Sequence, residues 1–361
     1  MSKVMIAMSG GVDSSVTAYL LKKQGHECCG CTMMLHNYIG DESACEPSAK
    51  LCGSSKDADD AKNVAENLGM THYTFDFRND FKTCVIDKFV ECYLKGETPN
   101  PCVECNRTMK FGRLIEKANS LGFDSIATGH YARIEKTDNG YILKKALDAS
   151  KDQSYVLFSL TQKELAHIHF PLGELTKSEV RDIAQSQGFI NAQKHDSQDI
   201  CFVPDGDYAS VIEEYSETES IPGPFLDTEG HILGTHKGII HYTIGQRRGL
   251  GIPAASRLYV VRIDVQNNTV ILGNNEDLFT NTVYVRDLHF IANDNNMPSD
   301  FECSAKIRYR HPEQKCHVHL EKNGLAILNF ETAVRASTPG QHAVLYDNDT
   351  VLGGGTIYLP E

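Results

Sequence analysis

A short apolar strand that runs directly into a glycine turn and then a helix constrains this chain more than any other feature. Lys3–Met8 reads as a buried strand, Ser9-Gly10-Gly11-Val12-Asp13-Ser14-Ser15 follows it, and a helix from about Ser14 to Gln24 closes at Gly25. Two adjacent glycines let the backbone turn sharply and come close to a ligand. The amides at the helix start then face outward, where the helix dipole favours an anion. Ser9 and Ser14 add hydroxyl donors, and Asp13 is placed to hold Mg²⁺ or to orient the amides. The lysine of a Walker A loop is missing, and the spacing is not that of the G-x-G-x-x-G dinucleotide fingerprint.

The same alternation continues downstream. His26–Leu35 reads as a second strand. Asp57–Leu68 is an amphipathic helix with Ala58, Ala61, Val64, Ala65 and Leu68 on one face and Gly69 as its stop. His72–Asp76 is a third strand, Phe81–Leu94 and Lys110–Ser120 have helical spacing, and Ser125–Thr128 is a strand ending at Gly129-His130. Thr176-Lys177-Ser178-Glu179 has the form of a capping box for a helix running to Gln187 and stopped by Gly188. Strands alternating with helices predict an α/β fold with a doubly wound parallel sheet. After about Asp205 the texture changes. Tyr208–Ile252 is mixed and turn-rich, and from Leu258 onward short β-branched runs recur between turn signals. These runs are Leu258–Asp264, Thr269–Leu272, Thr282–Val285, Cys303–Tyr309, Cys316–Glu321, Leu325–Phe330, Ala343–Tyr346 and Val351–Tyr358, and they suggest a small β-barrel. The expected organisation is a catalytic domain over 1–207, a central linker domain over 208–278 and a carboxyl-terminal β-barrel over 279–361.

With 361 residues, 41% of them hydrophobic, the chain has material for two or three cores. No run approaches the ~20 apolar residues of a membrane helix, and Met1–Met8 is interrupted too soon by Ser9-Gly10-Gly11 to read as a signal peptide. The expectation is a cytoplasmic protein. A net charge of −13 at first argues against a nucleic-acid partner, yet phosphate binding depends on local patches. Basic groups cluster at Arg107, Lys110 and Arg113, at Lys144-Lys145, at Arg247-Arg248 and over Lys306–His311, while acid concentrates over Asp196–Glu219. Each cluster alone reads as a solvated face.

The 12 cysteines include Cys45 and Cys52 and are scattered, as inert half-buried thiols would be, in a chain too long for a disulfide scaffold. Two candidates stand out in the C-x-x-C of Thr98-Pro99-Asn100-Pro101-Cys102-Val103-Glu104-Cys105-Asn106. The two prolines suggest a stiff loop ahead of a helix beginning near Lys110, and nearby Arg107 and Lys110 would favour a thiolate. The third candidate is Cys201 in His195-Asp196-Ser197-Gln198-Asp199-Ile200-Cys201-Phe202. A structural zinc site lacks a second ligand pair at usual spacing. A thioredoxin-like dithiol suits the C-x-x-C alone, and a [4Fe-4S] cluster on Cys102, Cys105 and Cys201 with one iron open stays as a further reading.

The Ser9–Ser14 string resembles the SGGxDS loop of N-type ATP pyrophosphatases (PP-loop enzymes). With the Thr98–Asn106 stretch, Ala127–Arg133, Lys151–Tyr155, Phe170–Gly173, Asp196–Phe202, Ile244–Gly251, Arg308-Tyr309-Arg310 and Thr338–Gln341, the chain resembles the MnmA-type tRNA-specific 2-thiouridylases over nearly its whole length. The resemblance implies a Rossmann-like PP-loop domain of the adenine nucleotide alpha hydrolase type, and ATP with Mg²⁺. It implies adenylation of the C2 oxygen of the tRNA wobble uridine, in tRNAs for Lys, Glu and Gln, then sulfur transfer from a cysteine persulfide with release of AMP and pyrophosphate. Carried over residue by residue, it assigns ATP binding to Ala7, Met8, Ser9, Gly10, Gly11, Val12, Asp13, Ser14, Met33 and Gly129. It assigns target-base contact to Asn100, Pro101 and Cys102, and further tRNA contact to His130, Lys151, Asp152, Gln153, Arg308, Tyr309 and Gln341. Cys105 matches the catalytic cysteine, and Cys201 the persulfide carrier with which Cys105 would form a disulfide. Some members of the family have Asp where this chain has Cys102, so three thiols cluster here. The partners implied are tRNA and a sulfur-relay donor protein, with neither DNA nor membrane. The competing readings are another adenylating PP-loop tRNA-modifying ligase and a non-catalytic tRNA-binding or sulfur-carrier protein.

Overall fold

The computed structural model describes residues 1–36, 55–194, 199–203, 206–254, 256–292 and 297–360. Cys45, Cys52 and His195–Gln198 lie outside the described residues. The chain divides into two compact units, the first made of residues 1–85, 102–206 and 349–352, the second of 86–101, 207–348 and 353–361.

The first unit is built on a parallel sheet. Among the described residues it holds β1 (Lys3–Ala7), β2 (Glu27–Met34), β3 (His72–Asp76), β4 (Ser125–Ala127) and the two-residue β7 (Ile168–His169), ordered β3-β2-β1-β4-β7. Every pairing in it is parallel. Val4, Met5 and Ile6 are all fully buried although successive side chains point to opposite faces, so the central strand is covered on both sides. On one face Val4, Ile6 and Met8 join Val16 and Leu21 of helix Val12–Lys23, Val64 of helix Ser55–Asn67 and Val180 of helix Lys177–Ser186 in one core. These elements follow the predicted boundaries to within a few residues, and Gly25, Gly69 and Gly188 take the left-handed conformation expected of helix stops. A hairpin of β5 (Ala132–Thr137) and β6 (Gly140–Lys145) completes the unit and pairs through Lys144 and Leu143 with Thr350 and Val351.

The segment around the C-x-x-C departs from expectation. Helical structure begins at Pro101, with α-helix over Pro101–Glu104, π-helix over Cys105–Arg113 and α-helix again over Leu114–Ser120. The expected stiff loop is thus a helix start, because proline is tolerated in the first turn, where its missing N–H would have no partner anyway. The wider turn shows in the bond from the Leu114 amide back to the Met109 carbonyl, five residues earlier.

In the second unit, β8 (Gly223–Leu226), β9 (Ile232–His236), β10 (Tyr259–Asp264) and β11 (Thr269–Gly273) form a sheet ordered β10-β11-β8-β9 around Phe225, Val260, Val270 and Leu272. The runs at Leu258–Asp264 and Thr269–Leu272 therefore belong to this sheet and not to the barrel that their texture suggested. Strand β12 (Phe279–Phe290), β13 (Asp300–Lys306), β14 (Gln314–Leu320), β15 (Ala326–Arg335), β16 (His342–Asp347) and β17 (Thr350–Tyr358) follow in the order β12-β15-β14-β13-β16-β17. Pairing of Tyr284 with Tyr358 and of Val285 with Ile357 brings β17 back to β12 and closes a six-stranded barrel, from which the β6–β5 hairpin extends beside β17. Among the described residues no helix is long and apolar enough to cross a membrane.

The predicted capping box is present: Thr176 accepts from the Glu179 amide and Glu179 accepts from the Thr176 amide at 2.7 Å. Thr176→Ala is expected to cost about 1 kcal/mol of stability, the usual value of an N-cap, measured by urea unfolding.

Candidate active site

In an open parallel sheet, ligands bind beyond the carboxyl ends of the strands where the strand order reverses. Here that point lies between β1 and β4, since β2 and β3 extend to one side of β1 and Ile168–His169 lies beyond β4 on the other. The loop Ser9–Gly11 leaves the end of β1, and Thr128-Gly129-His130 leaves the end of β4. The two segments touch. A Cβ at Gly129 would stand 3.0 Å from the Ser14 nitrogen and 3.0 Å from the Asp13 Cβ, so the absence of a side chain eases this close approach.

The loop is clamped from beneath. Gly10 has φ +69°, and a Cβ there would lie 2.4 Å from the Asp57 carbonyl oxygen. Its own carbonyl accepts from Asn191 Nδ2 at 3.0 Å and from Lys194 Nζ at 3.2 Å. Lys194 also reaches Asp57 at 2.6 Å and Asp60 at 3.1 Å. Asn191 donates to the Ser15 hydroxyl at 2.9 Å as well. Above, the Ser14 hydroxyl donates to the Gly11 carbonyl and accepts from the Ser9 amide. Gly11 is the N-cap of helix Val12–Lys23 and brings no side chain to its amides, so the first turn keeps donors for an anion. This arrangement fits a polyphosphate. The Asp13 carboxylate, expected to serve Mg²⁺ or the amides, is engaged otherwise. Both its oxygens accept from Lys177 Nζ, at 2.7 and 2.8 Å, and Oδ1 also accepts from the Tyr131 hydroxyl at 2.8 Å.

On the β4 side, His130 is 7% exposed. Its Nδ1 lies 2.6 Å from the Thr128 hydroxyl and its Nε2 3.4 Å from Lys110 Nζ. Burial, reinforced by the Lys110 charge, holds this imidazole well below the ordinary histidine range. Because an ammonium can only donate, Nε2 is the acceptor and Nδ1 carries the proton toward Thr128. Phe111 and Phe170 close over the ring.

Of the thiols, Cys105 is buried at the start of the π-helix, Cys102 is exposed one α-turn earlier, and Cys201 is half-buried. Arg107, expected to bias the thiols, gives its charge to Glu104 at 2.7 Å. Cys28, Cys29, Cys31 and Cys92 are raised by burial, Cys29 to about 12 and Cys92 to about 11, and so stay protonated. Among the described residues no three His, Cys, Asp or Glu side chains gather as metal ligands. Cys102, Cys105 and Cys201 are thus not gathered into one three-ligand set among these residues.

The remaining expected residues fall in both units. Met33 is half-buried on β2, opposite Phe75. Asp152 accepts from the amides of Ala146 and Ser154, and Gln153 Oε1 accepts from the Tyr131 amide at 2.9 Å, with Lys151 beside them. Asn100 and Pro101 belong to the second unit, as do Arg308, Tyr309 and Gln341. Arg308 donates to the Ile244 carbonyl at 3.0 Å and to the Thr338 hydroxyl. Gln341 donates to the Thr98 carbonyl at 2.8 Å, and Tyr309 is exposed. Sequence reasoning missed Tyr131, Lys177, Asn191 and Lys194. Lys177 was visible only as part of a capping box, and nothing in the pattern around Asn191 and Lys194 signals a loop clamp.

Gly10→Ala is expected to lose about 1–3 kcal/mol from the left-handed backbone alone, and ATP binding with it, read by thermal melting and calorimetric titration. Burial lowers the His130 pKa, so the unfolded chain takes up its proton first as pH falls below about 6.5. Stability from this group is thus complete above that value and declines on acidification. His130→Asn should remove up to about one proton from the pH slope of unfolding between pH 7 and 5, measured by denaturation across that range.

Three family models cover the chain: tRNA methyl transferase HUP domain over 2–205, tRNA methyl transferase PRC-barrel domain over 209–274 and aminomethyltransferase beta-barrel domain over 280–357. The tRNA-specific 2-thiouridylase MnmA of Lachnoclostridium phytofermentans is 47% identical over 358 residues, covering 99% of each chain. That of Acetivibrio thermocellus is 47% identical over 357 residues, covering 98% of this chain and 99% of its own. That of Clostridioides difficile is 45% identical over 357 residues, covering 98% of each. Matched by these three models and at least 45% identical to these relatives over almost its whole length, the chain belongs to the MnmA family of tRNA-specific 2-thiouridylases.

Proposed function

We propose that this enzyme replaces the C2 oxygen of the tRNA wobble uridine with sulfur at the expense of ATP. The observation that carries the reading is the clamped Ser9–Ser14 turn at the reversal of strand order, in the same unit as Cys105 and Cys201. A carbonyl oxygen is a poor leaving group, and joining it to the α-phosphate makes it leave as part of AMP. The helix amides and the Ser9 hydroxyl grip the phosphates through charge-assisted hydrogen bonds, while the Ser14 hydroxyl braces the turn. Mg²⁺ suits such a site by binding mainly to phosphate oxygens and water. That also suits a loop whose Asp13 is occupied by Lys177 and Tyr131.

The target uridine leaves the base stack to reach a buried centre, which costs a few kcal/mol. Asn100, Pro101 and Cys102 contact that base, and Ala7–Ser14, Met33 and Gly129 form the ATP site. His130, Lys151, Asp152, Gln153, Arg308, Tyr309 and Gln341 contact the tRNA, which is recognised by shape and backbone charge. A sulfur-relay protein loads Cys201 with a persulfide. Its terminal sulfur attacks C2 and AMP departs. Cys105 then attacks the Cys201 sulfur, leaving 2-thiouridine and a Cys105–Cys201 disulfide that an external dithiol reduces. Family likeness points to tRNAs for Lys, Glu and Gln, and domain boundaries at 1–207, 208–278 and 279–361 are the working division.

An adenylating ligase that used an amine nucleophile would have no need of these thiols. Incubation of tRNA with ATP, Mg²⁺ and a persulfide donor, followed by mass spectrometry of the nucleosides, should yield 2-thiouridine in air and without iron. Cys201→Ser and Cys105→Ser should each lower that yield at least about 100-fold, as loss of a covalent catalyst does, while tRNA-stimulated pyrophosphate release continues. Activity confined to iron-reconstituted anaerobic enzyme would overturn the persulfide route.

A further inference from the structure

The cations around the reversal of strand order are not equivalent. Lys177 is matched by Asp13, and Lys194 by Asp57 and Asp60. Within the basic cluster that contains Lys110, Arg107 is matched by Glu104, and Arg113 by Asp80 and Glu116. Lys110 stands apart. Its recorded polar contact among the described residues is His130 Nε2, a neutral acceptor. A half-buried ammonium facing a neutral ring keeps its whole charge for something that arrives from outside.

Its position indicates what arrives. His130 directly follows Gly129, whose backbone abuts Asp13 and Ser14 at the phosphate turn. Lys110 also shares the π-helix with Cys105. The wider π turn brings Lys110 toward the same side of the helix as Cys105, whereas an α-helix would place them roughly 140° apart around its axis. One ammonium is thereby tied both to the nucleotide turn and to the thiol helix. His130 fixes it there, with its Nδ1 proton directed at the Thr128 hydroxyl.

The geometry points to Lys110 as a catalytic cation of the adenylation step, donating to the non-bridging oxygens of the ATP α-phosphate, with His130 as its positioning residue. The inference rests on the proposed 2-thiolation. In that step the uridine O2–phosphorus bond forms while the bond from the α-phosphorus to the pyrophosphate oxygen breaks. The bonding electron pair leaves with pyrophosphate, and the uridine N3 proton passes to solvent. Lys110 stays protonated throughout and stabilises the negative charge as it shifts across the α-phosphoryl group.

The test uses the full-length chain with tRNA, ATP and Mg²⁺. Lys110→Met should slow single-turnover pyrophosphate release about 100-fold, as loss of one preorganised donor does, with less than about a tenfold change in ATP Kd. Lys110→Arg should recover most of the rate by restoring the charge. Thermal melting checks that each variant is folded, and Lys110→Gln replaces Lys110→Met if the latter is not. A folded, neutral variant that releases pyrophosphate at the wild-type rate overturns the inference. So does a rate that falls only in step with ATP affinity, since that would make Lys110 a ground-state binding group. If the wild-type chain itself shows no tRNA-dependent release, the proposed function fails, and the inference with it.

Discussion

The carbonyl oxygen of Gly10 accepts two hydrogen bonds, from Asn191 and Lys194, and the nucleotide turn depends on this contact. A left-handed residue between a buried strand and a helix needs something to hold it, since the loop itself forms few backbone hydrogen bonds. Asn191 and Lys194 lie some 180 residues downstream. The turn is therefore a product of the completed unit and not of its own six residues, Ser9–Ser14. Asp57 and Asp60, at the start of another helix, orient Lys194 in turn. Three distant stretches of chain must be in place before the amides of helix Val12–Lys23 point at a common centre.

Around that centre, charge is arranged in two classes. Ion pairs buttress the walls: Lys177 with Asp13, and Lys194 with Asp57 and Asp60. They fix geometry and contribute little net potential, because each cation is answered at 3.1 Å or closer. Helix amides and Lys110 supply the unanswered positive potential. A net charge of −13 is therefore compatible with binding two polyanions, because what a phosphate meets is the local field.

Much of the fold could be read from the chain. Strand–helix alternation, the glycine stops and the Thr176 capping box are local signals, and the structure places them where expected to within a few residues. The β5–β6 hairpin was missed although Asn139-Gly140 is a strong turn pair, because its strands are short and lie inside a helix-rich stretch. Strands β10 and β11 have the same texture as the barrel strands, and only pairing partners tell the two sheets apart. Within the site, the phosphate turn and the C-x-x-C were visible as spacing. Lys177, Asn191 and Lys194 were not, since their contacts with the turn span 164 to 184 positions and one sequence carries no trace of such proximity. The prolines around Cys102 misled for a physical reason: the same residue that stiffens a loop also opens a helix.

The π-helical stretch Cys105–Arg113 has a consequence for chain length. Such a turn amounts to one surplus residue lodged in an otherwise regular helix. Excising that surplus residue between Thr108 and Arg113 would let the segment relax into ordinary α geometry with both flanks still in register, whereas excising a second residue would turn everything on its amino-terminal side by about 100° about the axis. Cys105 would swing out of its buried niche while the strands, the phosphate turn and the barrel were left intact. The placement of the thiol on this helix thus depends on the number of residues in it as well as on their side chains.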